Sequence, residues 1–399
     1  MRSVPAQRLL PLVGLVLLAL LGVGVYWNGL NGGFIFDDFP NLVDDPDWRL
    51  TSMDFTSIAQ VMGNGVTGDV GRPLAILSFG LNYYFTGLAP WPMKATGLAL
   101  HLLNSVLVFA LASMLIRRVL SISWSQVRLT AFMVATAWMV HPLQVSTVLY
   151  VVQRMEIGGA TGVLIALLCY LKARGSAPWS RASLLWWCCA VFGAGIGLGF
   201  KETAILIPAY TLLIEVFLLK FRNPDGTRAR AISLLYAFGA IGAIFLYFAV
   251  ILPGALAPER YSARDFSLAG RLYSQPAILL NYLQQIMLPW PESLKFYYDN
   301  AQVPPSWRST TFIVPMLALV ALSTAAWGLR KRWPLTALGI GWFFASHLLT
   351  SNVVPLELAF EHRNYLAIVG IALALVQPLA AVMQRWTCLL YTSPSPRDS

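Results

Sequence analysis

Two adjacent carboxylates are the first candidates for chemistry. Asp37 and Asp38 follow the apolar run Phe34-Ile35-Phe36, with Asp44, Asp45 and Asp47 close behind. A carboxylate held half out of water at such a place can be tuned upward into a general base. The bland alternative is a solvated acidic loop. An EF-hand is excluded, because the glycine and closing glutamate of that loop are missing. Cations that could face an anion are spread along the chain: Arg72 before Pro73, Arg154 in Gln153-Arg154-Met155-Glu156, Lys201 before Glu202, and Arg363 in Glu361-His362-Arg363. Brought together they would suit a phosphate, which takes several charged N–H donors. Singly, each is as readily an interfacial anchor or half of a local ion pair. His141, Glu156, Glu202, Glu361 and His362 are the polar neighbours expected to support such a site. Two histidines in different loops without a carboxylate pattern do not specify a metal, and no resident metal is expected.

Membrane-spanning helices must position these groups. With 57% hydrophobic and only 12% charged side chains over 399 residues, an ordinary soluble chain is excluded. Apolar blocks cover Leu9 to Trp27, Pro92 to Ile116, Val127 to His141, Met155 to Leu171, Leu184 to Phe200 and Thr203 to Leu219. Four more run from Ala231 to Leu252, Thr311 to Gly328, Leu335 to Leu349 and Tyr365 to Met383. They predict about ten spans, two of them short, in an all-α polytopic membrane protein. Arg72 to Gly87 and Arg271 to Pro289 read as helices lying in the outer interface.

The charges orient this bundle. With both ends inside, the inner segments hold sixteen Lys and Arg against one acid, Asp225, and the outer segments eleven against fifteen acids. Cytoplasmic loops retain positive charge, so every candidate site residue falls on the outer face. The net charge of +10 is thereby a matter of topology. Nucleic-acid binding would need a basic stripe interleaved with aromatics, which is missing. The four cysteines define no disulfide framework. Gly193, Gly195, Gly197 and Gly199 suit close helix packing, and Glu215 is expected to reach the inner face beside Lys220.

Six segments carry a family resemblance: FDD at Phe36 to Asp38, RPLAILSFGLNYYF from Arg72, HLLNSVLVFAL from His101, HPLQVSTVLYVVQRMEIGGA from His141, KETAILIP from Lys201, and VVPLELAFEHRNYLA from Val353. In this order they resemble the membrane domain of bacterial relatives of the transmembrane and tetratricopeptide-repeat mannosyltransferases. These are a branch of the GT-C superfamily of polyprenyl-phosphate-sugar-dependent glycosyltransferases. The resemblance implies a GT-C-like bundle in the bacterial cytoplasmic membrane, with the catalytic base in the pair Asp38 and Asp37, Asp38 first. With such a donor, the cations Arg72, Arg154, Lys201 and Arg363 are the candidates to neutralise its phosphate. The reaction implied is inverting transfer of a hexose or pentose from a polyprenyl-phosphate donor to a hydroxyl of a protein or envelope glycan. A divalent cation is an open addition.

The chain departs from the family pattern at three places. The Gly-Arg-x-Asp element stands here as Gln153-Arg154-Met155-Glu156; Ser146 replaces a Glu after His-Pro, and Ala367 a Pro after Tyr-Leu. The expected organisation is a transmembrane domain over 1–387, with its first outer loop at 28–91. Residues 388–399 turn abruptly polar and read as a non-native tail, standing where a natural C-terminal region, tetratricopeptide repeats among the candidates, would continue. A lipid-linked polysaccharide polymerase or ligase would share the basic cavity without needing the acidic pair. A transporter or scaffold would favour internal repeats and midplane polar residues, which the sequence lacks.

Overall fold

The computed structural model describes residues 6–64, 71–262, 264–296, 298 and 303–391. The expected tail lies outside them from residue 392 onward. Fifteen α-helices follow in order: α1 (Ala6–Tyr26), α2 (Phe55–Asn64), α3 (Pro73–Thr86), α4 (Pro90–Val119), α5 (Trp124–Met139), α6 (Val145–Val148), α7 (Arg154–Gly175), α8 (Arg181–Phe200), α9 (Ile207–Ile214), α10 (Arg230–Leu246), α11 (Leu252–Leu256), α12 (Leu268–Met287), α13 (Thr310–Leu329), α14 (Pro334–His347) and α15 (Ala367–Tyr391). Wider π turns extend α9 through Leu219 and α10 through Ile251. Among the described residues the one strand-like pairing is a bridge between Arg222 and Arg228.

Every predicted span is helical, and seven helices are long and apolar enough to cross a membrane. The chain is an all-α polytopic membrane protein. The two short spans are α5 and α14, of 16 and 14 residues. Local chemistry sets several helix ends. Ser123 and Gln126 form a reciprocal capping box at the start of α5, and Pro73, Pro90 and Pro334 open α3, α4 and α14, where proline's missing N–H costs nothing.

Helices α7 and α8 pack with their backbones close, as the glycine spacing suggested. A Cβ placed on Gly162 would lie 2.2 Å from the Gly197 nitrogen, and one on Gly193 would lie 2.9 Å from the Ala166 nitrogen. Without lipid-versus-water contrast to drive association, such small-residue contact is what lets spans adhere. Gly199 admits Leu74 of α3, whereas Gly195 faces open space.

The main core joins α4, α5, α7, α14 and α15 around Trp138, Trp342 and Tyr365. A second core lies under the first loop, where Leu42, Trp48 and Leu50 pack on Phe79 of α3, Met93 of α4 and the Tyr150–Val152 segment. The acidic loop is therefore anchored: Trp48 is wholly buried and donates its indole N–H to the Leu42 carbonyl. Glu215 corrects an expectation. Instead of reaching out beside Lys220, its carboxylate is buried and accepts from the Arg174 guanidinium, 2.6 Å away, and from the Tyr170 hydroxyl. A buried carboxylate requires such partners, and Arg174 in the last turn of α7 supplies them.

Candidate active site

Asp38 is fully buried, and its carboxylate organises the loop around it. Oδ2 accepts the Ile35 N–H at 3.1 Å, and Oδ1 accepts the Val152 N–H at 2.8 Å. Burial pushes its carboxyl up to about 6, against the pull of backbone N–H groups at Val152, Ile35 and Val151 and of the Lys94 cation. The turn that delivers it is unusual. Phe36 has φ +45°, a left-handed conformation costing a non-glycine residue about 1 kcal/mol or more, of the kind that clusters at functional sites.

Asp37 sits beside it but is only partly buried. Its N–H donates to the Tyr150 hydroxyl at 2.7 Å. Burial raises its carboxyl above the usual range, the Tyr150 hydroxyl opposes that, and Glu357 adds to it. Asp44 and Asp47 are exposed. Five acids that look alike in sequence thus divide into one internal, Asp38, two partly buried, Asp37 and Asp45, and two toward solvent.

The predicted cations fall into two groups. Arg72 makes a two-pronged pair with Glu202, at 3.0 and 2.8 Å, while Lys201 pairs with Glu156 at 2.9 Å. Arg72, Glu202 and Lys201 keep part of their surface free, whereas Glu156 is buried. Arg154 behaves differently. It is 1% exposed and donates to the carbonyls of Ser78 on α3 and Met93 on α4, with its guanidinium over the Phe79 ring. It clamps three elements behind Asp38 and presents nothing outward. Arg363 donates to the Glu357 and Leu358 carbonyls, shaping its own loop, but stays partly exposed.

The last loop joins the same site. Burial, with Lys201, Arg363 and Arg72 all acting on it, holds the His362 imidazole well below its usual range. This places three of the four predicted cations around one point. Glu361 is buried, and its Oε1 has no hydrogen-bond partner. Burial pushes its carboxyl up to about 7, opposed by hydrogen bonds from Ser146 and from the backbone at Lys295. His141 is tied on both ring nitrogens, to the Ile286 carbonyl and the Leu143 N–H. It holds α12 to the α5–α6 turn.

Sequence reasoning missed three participants. Lys94, in the first turn of α4, is buried beside Asp38, and its Nζ lies so near Gly32 that a Cβ there would approach to 2.9 Å. The signal was present as a lone lysine at the start of an apolar span. Tyr150 carried no charge to draw notice. Arg271 of α12 is wholly buried and donates to the carbonyls of Thr350, Asn352 and Leu356, building the loop that carries Glu361 to Arg363.

Fold and site together define a polytopic membrane protein with an acidic pair and a set of cations gathered at one end of its helices. Comparison with known proteins narrows this class. The chain is 27% identical over 352 residues to a Xenopus laevis protein named protein O-mannosyl-transferase tmtc2, covering 79% of this chain and 40% of that one. It is 27% identical to human TMTC2 over 49% of this chain and 23% of the other, and 29% identical to mouse TMTC3 over 48% and 20%. The chain is thus a relative of these proteins and spans less than half their length. No family model matches it, and no solved structure does.

Proposed function

We propose that the chain is a membrane glycosyltransferase that moves a sugar from a polyprenyl-phosphate donor to a hydroxyl acceptor, on the outer face of a bacterial cytoplasmic membrane. The observation that supports it best is the meeting of two loops, Asp37 beside Glu357, which also acts on Arg363, and Arg363 with Arg72 and Lys201 about His362, in a relative of proteins named O-mannosyl-transferases. By analogy with those names, a protein hydroxyl is the favoured acceptor and mannose the first donor sugar to try.

The geometry argues for Asp37 as the base. A base must come within hydrogen-bond reach of the proton it takes, and Asp38 is wholly enclosed with both oxygens on backbone N–H groups. Asp37 lies at the boundary, with Tyr150 behind it. In this reading Asp37 accepts the acceptor's hydroxyl proton as its oxygen attacks the anomeric carbon from the face opposite the phosphate. The carbon–oxygen bond to phosphate breaks with its electron pair, and the configuration inverts. The leaving group is a phosphate with a second pKa near 6, so no general acid is required. Arg72, Lys201 and Arg363 stabilise the charge that grows on it. Glu202 and Glu156 hold Arg72 and Lys201 in place, and Arg154 and Lys94 act through Asp38.

Membranes containing the protein, given labelled polyprenyl-phosphate mannose and a hydroxyl-bearing acceptor peptide, should yield glycosylated peptide. Wild-type transfer by Asp37→Asn, Asp38→Asn and the double variant would sink this assignment. Use of only oligosaccharide lipid donors would point instead to a polymerase or ligase.

A further inference from the structure

At the opposite end of α7 from Arg154 lies a cavity of about 650 Å³, within the usual range for small-molecule sites. The α7–α8 turn forms one side of it, with Trp179, Leu184 and Trp187. The 223–230 turn and the start of α10 form the other, with Arg228, Arg230 and Leu235. Its walls are mainly apolar. Helix α10 buries none of its residues and exposes Leu234, Leu235 and Phe238, so the cavity opens along that helix to the apolar surroundings of the bundle.

The cations at its mouth differ in kind. Arg174 is committed to Glu215, Asn223 and the Arg222 carbonyl. Arg228 and Arg230 are exposed, and among the described residues their guanidinium groups have neither a hydrogen bond nor a carboxylate partner. The nearest acid in sequence, Asp225, is taken up by the N–H and hydroxyl of Thr227. Trp179 is 78% exposed and held at φ +61°, which a bulky side chain seldom adopts. Tryptophan at a helix end is suited to the headgroup level of a bilayer.

Two unpaired guanidinium groups over an apolar slot that opens sideways along a helix match one chemistry: a phosphate attached to long hydrocarbon chains. We infer that this cavity binds one anionic diacyl phospholipid, with its phosphate on Arg228 and Arg230 and an acyl chain between Leu184 and Leu235. A free phosphate would use the cations and leave the slot without purpose. A zwitterionic lipid would fill the slot and leave the positive charge uncompensated. The site is separate from the acidic pair, since α7 spans 22 residues between them, or about 33 Å at 1.5 Å per residue.

The test is native mass spectrometry of the full chain released from detergent, titrated with phosphatidylglycerol, phosphatidylcholine or inorganic phosphate. Wild type should retain one phosphatidylglycerol in preference to phosphatidylcholine. Basic residues near a membrane contribute about 1 kcal/mol each, so R228Q/R230Q should weaken phosphatidylglycerol on the order of tenfold to thirtyfold and leave phosphatidylcholine unchanged. Ala231→Trp, which fills the slot without altering charge, should weaken phosphatidylglycerol as well. The control K331Q/R332Q, at the α13–α14 turn, should bind as wild type. Unchanged phosphatidylglycerol binding by R228Q/R230Q, an equal loss in the control, no effect of Ala231→Trp, or displacement of the lipid by inorganic phosphate would each overturn the inference. None of these readouts depends on sugar transfer.

Discussion

The Asp38 carboxylate accepts the backbone N–H of Val152 at 2.8 Å, tying together two segments 114 residues apart. Through this bond the first loop and the approach to α7 become one unit, and Asp37 is set beside Tyr150 at its edge. The carboxylate pair thus divides: Asp38 builds the loop from inside, and Asp37 stands at its edge, where the proposed reaction uses it as the base.

That division is testable by conservative substitution. Asp37→Asn should leave thermal stability in detergent near wild type and lower the turnover number by about 10² or more, the usual contribution of a positioned base. Asp38→Asn should lower the melting temperature as well as activity, because one of its two backbone contacts then faces an amide N–H₂. Equal melting temperatures for the two variants would contradict the assignment.

Two buried carboxyls give stability a direction with pH. Burial pushes the Asp38 carboxyl up to about 6 and that of Glu361 up to about 7, both above the unfolded values of about 4. Between those limits the native state holds more protons than the unfolded one, so stability should fall as pH rises from about 4 to about 7. Melting curves over that range should show the slope, and D38N with E361Q should flatten it. Transfer should run the other way, rising as the Asp37 carboxyl, held above its usual range, loses its proton.

Arg72 and Glu202 form the two-pronged pair that fixes α3 to the start of the α9 segment. A double-mutant cycle with R72A and E202A should give a coupling of about 0.5 to 3 kcal/mol in stability. If Arg72 also carries the donor phosphate, Arg72→Lys should raise the donor KM, since lysine cannot reproduce the fork. An unchanged KM in Arg72→Lys would remove Arg72 from the binding set.

The α7–α8 seam makes a sharp steric prediction. Gly162→Ala puts a Cβ within 2.2 Å of the Gly197 backbone, which cannot yield as a side-chain tip would, and overpacking of this sort costs about 1–3 kcal/mol. Gly195→Ala meets open space and should be neutral or slightly stabilising. Thermal unfolding of the two variants in detergent compares them directly.

Glu215→Gln should be among the most destabilising single changes, by about 3–5 kcal/mol, because it leaves the Arg174 charge buried without its partner. Replacing both residues by apolar ones of similar size should recover much of that loss. Equal melting temperatures for wild type and Glu215→Gln would show the pair to be solvated.

Much of this architecture could be read along the chain. Apolar blocks of spanning length become helices because a bilayer requires every backbone group to be paired within its own segment. Hydropathy and basic clusters are local properties, so Leu9 to Trp27 or Thr311 to Gly328 announce themselves without knowledge of their neighbours. The adjacency of Asp37 and Asp38, and the glycines at 193 and 197, were visible for the same reason.

Partnerships were not. Whether Asp37 or Asp38 turns inward depends on the left-handed turn at Phe36, a non-glycine conformation that residue types do not specify. That Arg154 and Arg271 are clamps on carbonyls, while Arg72 and Lys201 keep part of their surface free, follows from which loop lands beside each. Lys94 came to lie beside Asp38, and Glu215 turned inward to Arg174, through contacts with segments far along the chain. Sequence by itself determined which segments enter the membrane and which polar types stand at their ends. Tertiary structure alone decided which of those groups are internal, because a buried charge is tolerated only where distant elements bring it a partner.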